Sequence, residues 1–314
     1  MPGQLKEVRN RIKSVDSIQQ ITKAMKMVSA AKLRRAQDAI QQMRPYTEKL
    51  QEMLRHIVSN SEGDVDMSLA DERPVEKVLV VLITSDRGLC GSYNANLIKL
   101  TKQHISKKYS EQYHKGEVTL LPIGKKGHEH FVRHTHFEGN KSGKGLNLKD
   151  GYRDLLLELS FEDVQKAAEF AMESFLEHKF DKVEIIYSRF INAVVQEFKV
   201  EPFLPIPKNQ ETGENGKEKK METETGRKAD FIFEPDQESL VKELMPKILN
   251  TQFFKALLDA NASEHGARMT SMDKATDNAD ELLRDLRISY NRARQAAITT
   301  ELTEIVSGAA ALEG

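Results

Sequence analysis

Residues 4 to 62 read QLKEVRNRIKSVDSIQQITKAMKMVSAAKLRRAQDAIQQMRPYTEKLQEMLRHIVSNSE, a stretch with no glycine and one proline, Pro45. Gln, Lys, Arg, Ala and Met dominate it, all residues that a helix favours or tolerates. It predicts one helix of about 55 residues, ~80 Å long at ~1.5 Å per residue. Its apolar positions run Leu5, Val8, Ile12, Val15, then Ile18, Ile21, Met25, Val28, then Ile40, Met43, Leu50, Met53 and Ile57. The three-four spacing is that of a coiled-coil seam, with a phase slip at Val15, Ile18 and Ile21 that would alter the supercoil locally. An element of this length projects from any globular body.

The other end repeats the pattern. After a start signal at Pro235 and Asp236, only Pro246 and Gly266 interrupt the chain before Gly308. The seam reads Met269, Met272, Ala275, Ala279, Leu282, Leu286, Ser289, Ala293 and Ala296, followed by Ile298, Leu302, Ile305, Ala309 and Leu312. Small residues in it admit a partner helix closely, and two seams separated by an insert predict an antiparallel coiled coil within the chain. If Ile57 lies beside Asp236, Met1 falls beside roughly residue 292, leaving about 20 residues without a partner, a rod of roughly 30 Å. No Lys or Arg follows Arg294. A lone helix of this kind is unstable in water, so either another chain encloses it or it frays or folds back onto the insert.

Composition agrees with extended helix beside a modest core. Of 314 residues, 39% are hydrophobic and 6% aromatic, with no Trp, which is thin for one large globular core. The 47 Lys and Arg balance 48 Asp and Glu, which excludes a generally basic nucleic-acid binder. A single cysteine, Cys90, excludes an intramolecular disulfide framework and a multi-cysteine zinc site. The N-terminal MPGQLKEVRNR has no apolar leader core and no apolar run reaches ~20 residues, so a soluble or peripheral protein is expected. Residues 1 to 57 carry twelve Lys and Arg against five Asp and Glu, a net of +7. That basic face is either a solvated coiled-coil surface or a docking surface for acidic loops of a partner.

Between the helices, the run Val75–Thr84 (VEKVLVVLIT) predicts a strand buried on both faces of a parallel sheet. A helix from Asn94 to about Tyr109 follows, then a strand Glu117–Ile123, a glycine-punctuated stretch near Gly124 and Gly127, a helix Phe161–Lys179, and strands Lys182–Arg189 and Ala193–Phe203. This order predicts an α/β fold, a Rossmann-like three-layer domain with a terminal hairpin. The boundaries expected are 1–60 for the first helix, 61–207 for the α/β domain, 208–230 for a polar loop and 231–314 for the last helix. Lys208–Lys228 holds Met221 as its one apolar residue and reads as a disordered insertion.

The turn SDRGLCGSYN, Ser85–Asn94, joins a buried strand to a helix and is the one place where phosphate chemistry needs testing. It lacks the third glycine of a dinucleotide fingerprint and the Lys-Ser/Thr of a phosphate-binding P-loop. An exposed polar contact surface is the better reading, since sites on open α/β sheets lie at this edge. Arg87 beside Cys90 would lower a thiol pKa. No His or Asn completes a Cys-His pair, so a structural or contact thiol is expected. His128, His130, His134 and His136 are the densest ligand-like cluster, but His128 and His130 do not share a helix face, and a solvated surface is preferred to a metal site.

ITKAMKMVSAAKLRRAQ at 21–37, SDRGLCGSYN at 85–94 and ARQAAITTELTEIVSGAAAL at 293–312 resemble the gamma subunit of rotary (F-type) ATP synthases, and the likeness spans essentially the whole chain. The resemblance implies a central rotor shaft coupling transmembrane proton flow to ATP synthesis or hydrolysis on the beta subunits. It implies a non-catalytic subunit without cofactor or metal, peripheral on the cytoplasmic face of the bacterial inner membrane. The partners implied are the alpha and beta subunits of the catalytic head, an epsilon subunit and the membrane c-ring. Carried over residue by residue, Lys23, Met25 and Lys26 resemble a contact with an acidic loop of the beta subunit. Arg87 and Cys90 resemble a lower contact with the same kind of loop, and Arg268, Gln295, Thr299 and Glu304 resemble C-terminal coupling positions. The sequence departs from the family pattern at Ser92, where a second glycine is common, and in the longer loop 208–228. Two other readings stand beside this one: a nucleotide-dependent enzyme with an α/β domain on a coiled-coil stalk, and a static tether that self-associates.

Overall fold

The computed structural model describes residues 2–60, 68–134, 145–206 and 237–313. The expected polar loop at 208–230 and His136 lie outside the described residues. Two long helices bracket the chain, α1 (Pro2–Asn60) and α6 (Gln237–Glu313). Each runs unbroken through its one internal proline, Pro45 and Pro246 respectively. They pack antiparallel. Cross-helix hydrogen bonds join Arg9 to Tyr290 (2.9 Å), Gln19 to Asp280, Thr276 to Thr22 (2.9 Å) and Lys26 to Asp273, so the paired numbers always sum to 298 or 299. In that register Pro2 falls beside residue 296 or 297, where the expected pairing of Met1 with residue 292 would have put it near 291. The free end is therefore shorter than expected, about 16 residues or ~24 Å.

The seam differs from the apolar pattern in an informative way. Val8, Ile12 and Val15 pack on Ala279, Leu283 and Leu286, and Leu33, Ala36 and Ile40 pack with Ala262 and Met269. Between these apolar blocks the buried positions are Thr22 and Ser29, each seven residues from the last in the series Val15, Thr22, Ser29, Ala36. The heptad is continuous and has no phase slip. Ile18, Ile21 and Val28, expected in the seam, are 53%, 58% and 58% exposed on the outer face. On α6 the same regularity puts Leu283 inward and leaves Leu282 and Ser289 outside. Apolar character misled at these positions because the seam is set by spacing, and Thr22 and Ser29 satisfy their hydroxyls on the backbone of their own helix, at Gln19 O and Met25 O (3.0 and 2.8 Å).

The insert is a five-stranded sheet in the order β3-β2-β1-β4-β5. Its strands are β1 (Val78–Ile83), β2 (Val118–Ile123), β3 (Asn147–Leu148), β4 (Lys182–Phe190) and β5 (Gln196–Leu204). β1 pairs in parallel with β2 and β4, β2 in parallel with β3, and β5 closes an antiparallel hairpin on β4. Alternation along β1 explains its unbroken apolar run. Leu79, Val81 and Ile83 face a layer made by α5 (Phe161–Leu176) and the lower part of α6, where Met245, Leu249, Phe253 and Leu257 are buried. Val78, Val80 and Leu82 face α2 (Tyr93–Lys108), α3 (Ser110–Lys115) and α4 (Lys125–Arg133) through Leu97, Ile105, Tyr113 and Phe131.

Two expectations change. The glycine-punctuated stretch is helix α4, and its glycines answer to Thr84. Gly124 has φ 96° and a Cβ there would sit 2.1 Å from the Thr84 carbonyl oxygen, while Gly127 donates its N–H to Thr84 Oγ1 (2.9 Å). The short strand β3 gave no sequence signal, since two residues cannot show a period. The most consequential feature is α6. One continuous helix supplies a layer of the α/β domain at its lower end and the second strand of the coiled coil above it.

Candidate functional site

β1 ends at Ile83 and the chain turns through Ser85–Ser92 into α2. Asn94, one residue into the helix, reaches back: its Oδ1 accepts from Ser85 N–H (3.0 Å), and its Nδ2 donates to Ser85 Oγ (2.6 Å) and to Cys90 Sγ (3.3 Å). Ser85 Oγ donates to the Arg87 carbonyl (2.7 Å). Asp86 leaves the turn to accept Lys125 N–H at the start of α4 (3.1 Å). The side chains of Ser85, Asp86 and Asn94 are thus engaged within the turn or on the start of α4. Gly91, one of the two glycines of the motif, has a structural reason: at φ 61° its Cβ would stand 2.8 Å from Ser271 Oγ on α6.

The turn is clamped to α6 by Arg268. This side chain is 7% exposed, donates from Nη2 to the Arg87 carbonyl (2.9 Å) and from Nε to the Gly88 carbonyl (3.3 Å), and pairs through Nη1 with Glu264 Oε1 (2.5 Å) one helical turn away. Glu264 is equally buried. Burial raises its carboxyl pKa and Arg268 pulls against that rise. His265 Nδ1 accepts from Arg268 Nη1 (3.3 Å), and burial, then Arg268 and Lys32, bring its pKa down to about 4, so it is neutral at pH 7. Tyr93 Oη, also buried, donates to the Ala260 carbonyl (3.0 Å). Arg87 and Leu89 remain outside; Leu89 is 63% exposed at φ 63°.

The structure therefore brings Arg87, Cys90 and Arg268 together and separates their roles. Cys90 is buried under the turn, where desolvation raises its thiol pKa. Within this chain it is a structural thiol, with Sγ accepting from Asn94 Nδ2 (3.3 Å), and the raised pKa disfavours an activated nucleophile. Arg268 is likewise interior and positions the turn. Glu264 escaped the sequence reading, although Glu264-x-x-x-Arg268 is an i,i+4 pair and was legible as one.

The upper residues lie on the coiled coil. Lys23 is exposed, Met25 is half-buried beside the outward Ile21 and Val28, and Lys26 pairs with Asp273 across the seam, both partners being over 40% exposed. Gln295, Thr299 and Glu304 are exposed on α6, at or beyond the end of α1, with Thr299 Oγ1 bonded to the Gln295 carbonyl (2.9 Å). Ile298, Leu302, Ile305 and Val306 are exposed on the same rod. The histidines do not converge. His128 bonds Asp150 (2.6 Å) while His130 stacks on His134 (4.6 Å between centroids), and no group of three metal-ligating side chains occurs among the described residues. No described helix is long and apolar enough to cross a membrane.

A family described as ATP synthase (ATP-synt) matches residues 4–312. The ATP synthase gamma chain of Cytophaga hutchinsonii is 49% identical over 312 residues, 99% of each chain, and that of Chlorobium phaeobacteroides 45% identical over 310 residues, again 99% of each. Among solved structures, a chain of the Euglena gracilis mitochondrial ATP synthase (OSCP/F1/c-ring) superposes with a TM-score of 0.63 at 18% identity, over 99% of this chain and 95% of that one. A chain of the Tetrahymena thermophila mitochondrial central stalk and c-ring gives 0.53 at 22% identity, over 81% and 99%. At those identities the solved structures speak for the fold, and the full-length relatives decide the rest: the chain belongs to the ATP synthase gamma chain family.

Proposed function

We propose that this chain is the central rotor shaft of an ATP synthase, turning proton flow through a membrane c-ring into conformational work on the beta subunits, and that it carries no catalytic site of its own. The observation that carries the reading is the continuity of α6. Torque applied to the α/β domain enters a helix that is already one layer of its core and leaves along the coiled coil without crossing a flexible joint. The asymmetric body offers a different face to each subunit of a surrounding ring and so biases their nucleotide affinities, a coupling that is reciprocal for binding.

The proposed partners are the alpha and beta subunits, an epsilon subunit and the c-ring, with the chain peripheral on the cytoplasmic face of the bacterial inner membrane. Lys23, Met25 and Lys26 form the upper contact with an acidic loop of a beta subunit. Arg87 forms the lower one, held out by Arg268 and Cys90, and Gln295, Thr299 and Glu304 lie in the sleeve that encloses the rod. The reading of the chain as a nucleotide-dependent enzyme finds no support at the turn, which lacks the third glycine of a dinucleotide fingerprint and the Lys-Ser/Thr of a P-loop. The test is rotation: with the head fixed and a bead attached to the α/β domain, ATP should drive stepwise turning. A bead that stays still while the complex hydrolyses ATP, or tight stoichiometric ATP binding by the isolated chain in calorimetry, overturns the proposal.

A further inference from the structure

Helices α2 and α4 lie side by side on one face of the sheet and leave an open groove of about 590 Å³ between them. Its lining surface is mostly carbon, with Ala95 and Ile98 on the α2 side. Four cations border it, Lys99 and Lys102 from α2 and Lys126 and Arg133 from α4, against a single carboxylate, Glu129, which is bonded to Lys126 (2.8 Å). His130 faces the groove as well, with Nε2 buried and without a hydrogen-bond partner. Burial, followed by Lys102 and His134, holds the His130 pKa below its ordinary value, so its imidazole is neutral at pH 7.

The layout of the charges selects the ligand. Lys126 and Arg133 are seven residues apart on one helix, so their Cα atoms are separated by ~10 Å along the axis. Lys99 and Lys102 are nearly one turn apart on the facing helix. A single phosphate wants its cations converging on one point; these are strung along both banks of an apolar trough. A helix with carboxylates along its flanks and apolar side chains underneath matches both features, the helix-in-groove mode of recognition. We propose that the α2–α4 groove receives an acidic amphipathic helical segment of a partner chain, with its carboxylates on Lys99, Lys102, Lys126 and Arg133 and its apolar face on the floor between the helices. This surface is distinct from the coiled coil and adjoins the turn only at Asn94, and the proposal does not depend on the shaft reading.

The test uses the purified full chain and a fluorescein-labelled 14-residue helical peptide with Glu flanks and a Leu face, followed by anisotropy. Binding should weaken as salt rises from 50 to 200 mM. The Lys99→Glu/Arg133→Glu variant, changed only at exposed positions, should bind at least tenfold more weakly, with unchanged thermal unfolding. Lys6→Glu/Lys13→Glu, which removes comparable charge from α1, should bind as the wild type does. A peptide with Lys flanks should not bind. Equal affinity for the groove variant and wild type, or an equal loss in the α1 variant, refutes the proposal, because the peptide is then reading net charge. Binding of inorganic phosphate, or of vesicles containing phosphatidylglycerol, that displaces the peptide and is lost in the groove variant would also overturn it in favour of a phosphate or lipid-headgroup site. In the assembled complex, a photo-crosslinker at Gln103 should label one acidic helical segment of another subunit; labelling confined to lipid, or to a segment without acidic residues, counts against it.

Discussion

Replacing Arg268 with Gln tests whether the turn and the shaft helix are one mechanical piece. Arg268 is interior, and the substitution removes four things at once: the pair with Glu264 and the hydrogen bonds to the Arg87 carbonyl, the Gly88 carbonyl and His265 Nδ1. Removing one partner of a buried ion pair typically costs about 3–5 kcal/mol, because the survivor is left as an uncompensated charge. Much of that penalty belongs to Glu264. In a Glu264→Gln background the same change at Arg268 should therefore cost only the two carbonyl contacts, about 1–3 kcal/mol together, with a small addition from the longer bond to His265. Urea unfolding of the purified chain, followed in a double-mutant cycle, reads both numbers, and the coupling energy should be at least about 1.5 kcal/mol. A cost below about 1 kcal/mol in the wild-type background, or the same cost with and without the Glu264 carboxylate, would show that the pair does not clamp the turn. A second readout separates clamping from general stability: thermolysin should cut near Leu89 sooner in the variant under conditions where the rest of the chain stays intact.

Glu184, 2% exposed on β4, receives hydrogen bonds from His104 (2.5 Å) and Lys108 (2.6 Å); burial pushes its pKa up, but these partners win and hold it at about 2. Its folded pKa is thus below the unfolded value of about 4.3, so its contribution, up to roughly 3 kcal/mol, is present above pH ~4.3 and lost as pH falls toward 2. Glu184→Gln should flatten the loss of stability between pH 5 and pH 3 in denaturant titrations, and an unchanged slope would contradict the assignment. Asp259 has the opposite sign: burial first, offset by Lys255, Arg189 and Lys199, raises its pKa to about 6. It destabilises the fold above pH 6, so Asp259→Asn should raise stability by up to roughly 3 kcal/mol at pH 7.5, with the gain gone by pH 4; a destabilised variant at pH 7.5 would mean that the carboxylate is structurally required. Met25→Lys should impair coupling more than assembly, because Met25 lies beside the outward stripe rather than in the seam, and a new pairing with an acidic loop deep enough to create a well of about 1.4 kcal/mol shifts an angular equilibrium tenfold. Equal ions pumped per ATP in membranes with equal amounts of assembled complex would make Met25 an ordinary surface residue.

The α/β order was legible because β1, β2 and most of β4 are buried on both faces and each amphipathic helix on one, so runs and periods in the sequence map onto layers. The long helices were legible from the scarcity of glycine and proline, and their antiparallel pairing from the presence of two seams. Register was not, since Ile57 beside Asp236 and Lys26 beside Asp273 are both compatible with an apolar period; the structure selects the second through polar pairs that only geometry reveals. The turn at residues 85–94 stood out by its glycines and position. What Arg87, Cys90 and Arg268 do there came from resemblance rather than from spacing, because 180 residues separate Gly88 from Arg268. Glu264 could be found only by asking which acid sits one turn from a buried arginine.

The coiled coil also inverts its usual polarity at one level. Between the apolar blocks at Val15 and Leu33, the seam holds Gln19, Thr22, Lys26 and Ser29, while Ile18, Ile21 and Val28 face out with Met27 nearby. A helix pair selected only for its own stability would place these side chains the other way round, since burying an Ile or Val contributes about 1.5–3 kcal/mol. The sum is the right size for an anchor on another chain, and the polar seam beneath it limits how tightly the two helices hold each other at that height. A shaft that must fit a ring in more than one orientation needs such a level, where its own pairing is weak enough to adjust and its outer surface apolar enough to be gripped. Replacing Thr22 and Ser29 together with Val and Ala would test the balance. The isolated chain should become more stable, and if the polar level serves adjustment, ATP-driven rotation in the assembled complex should slow.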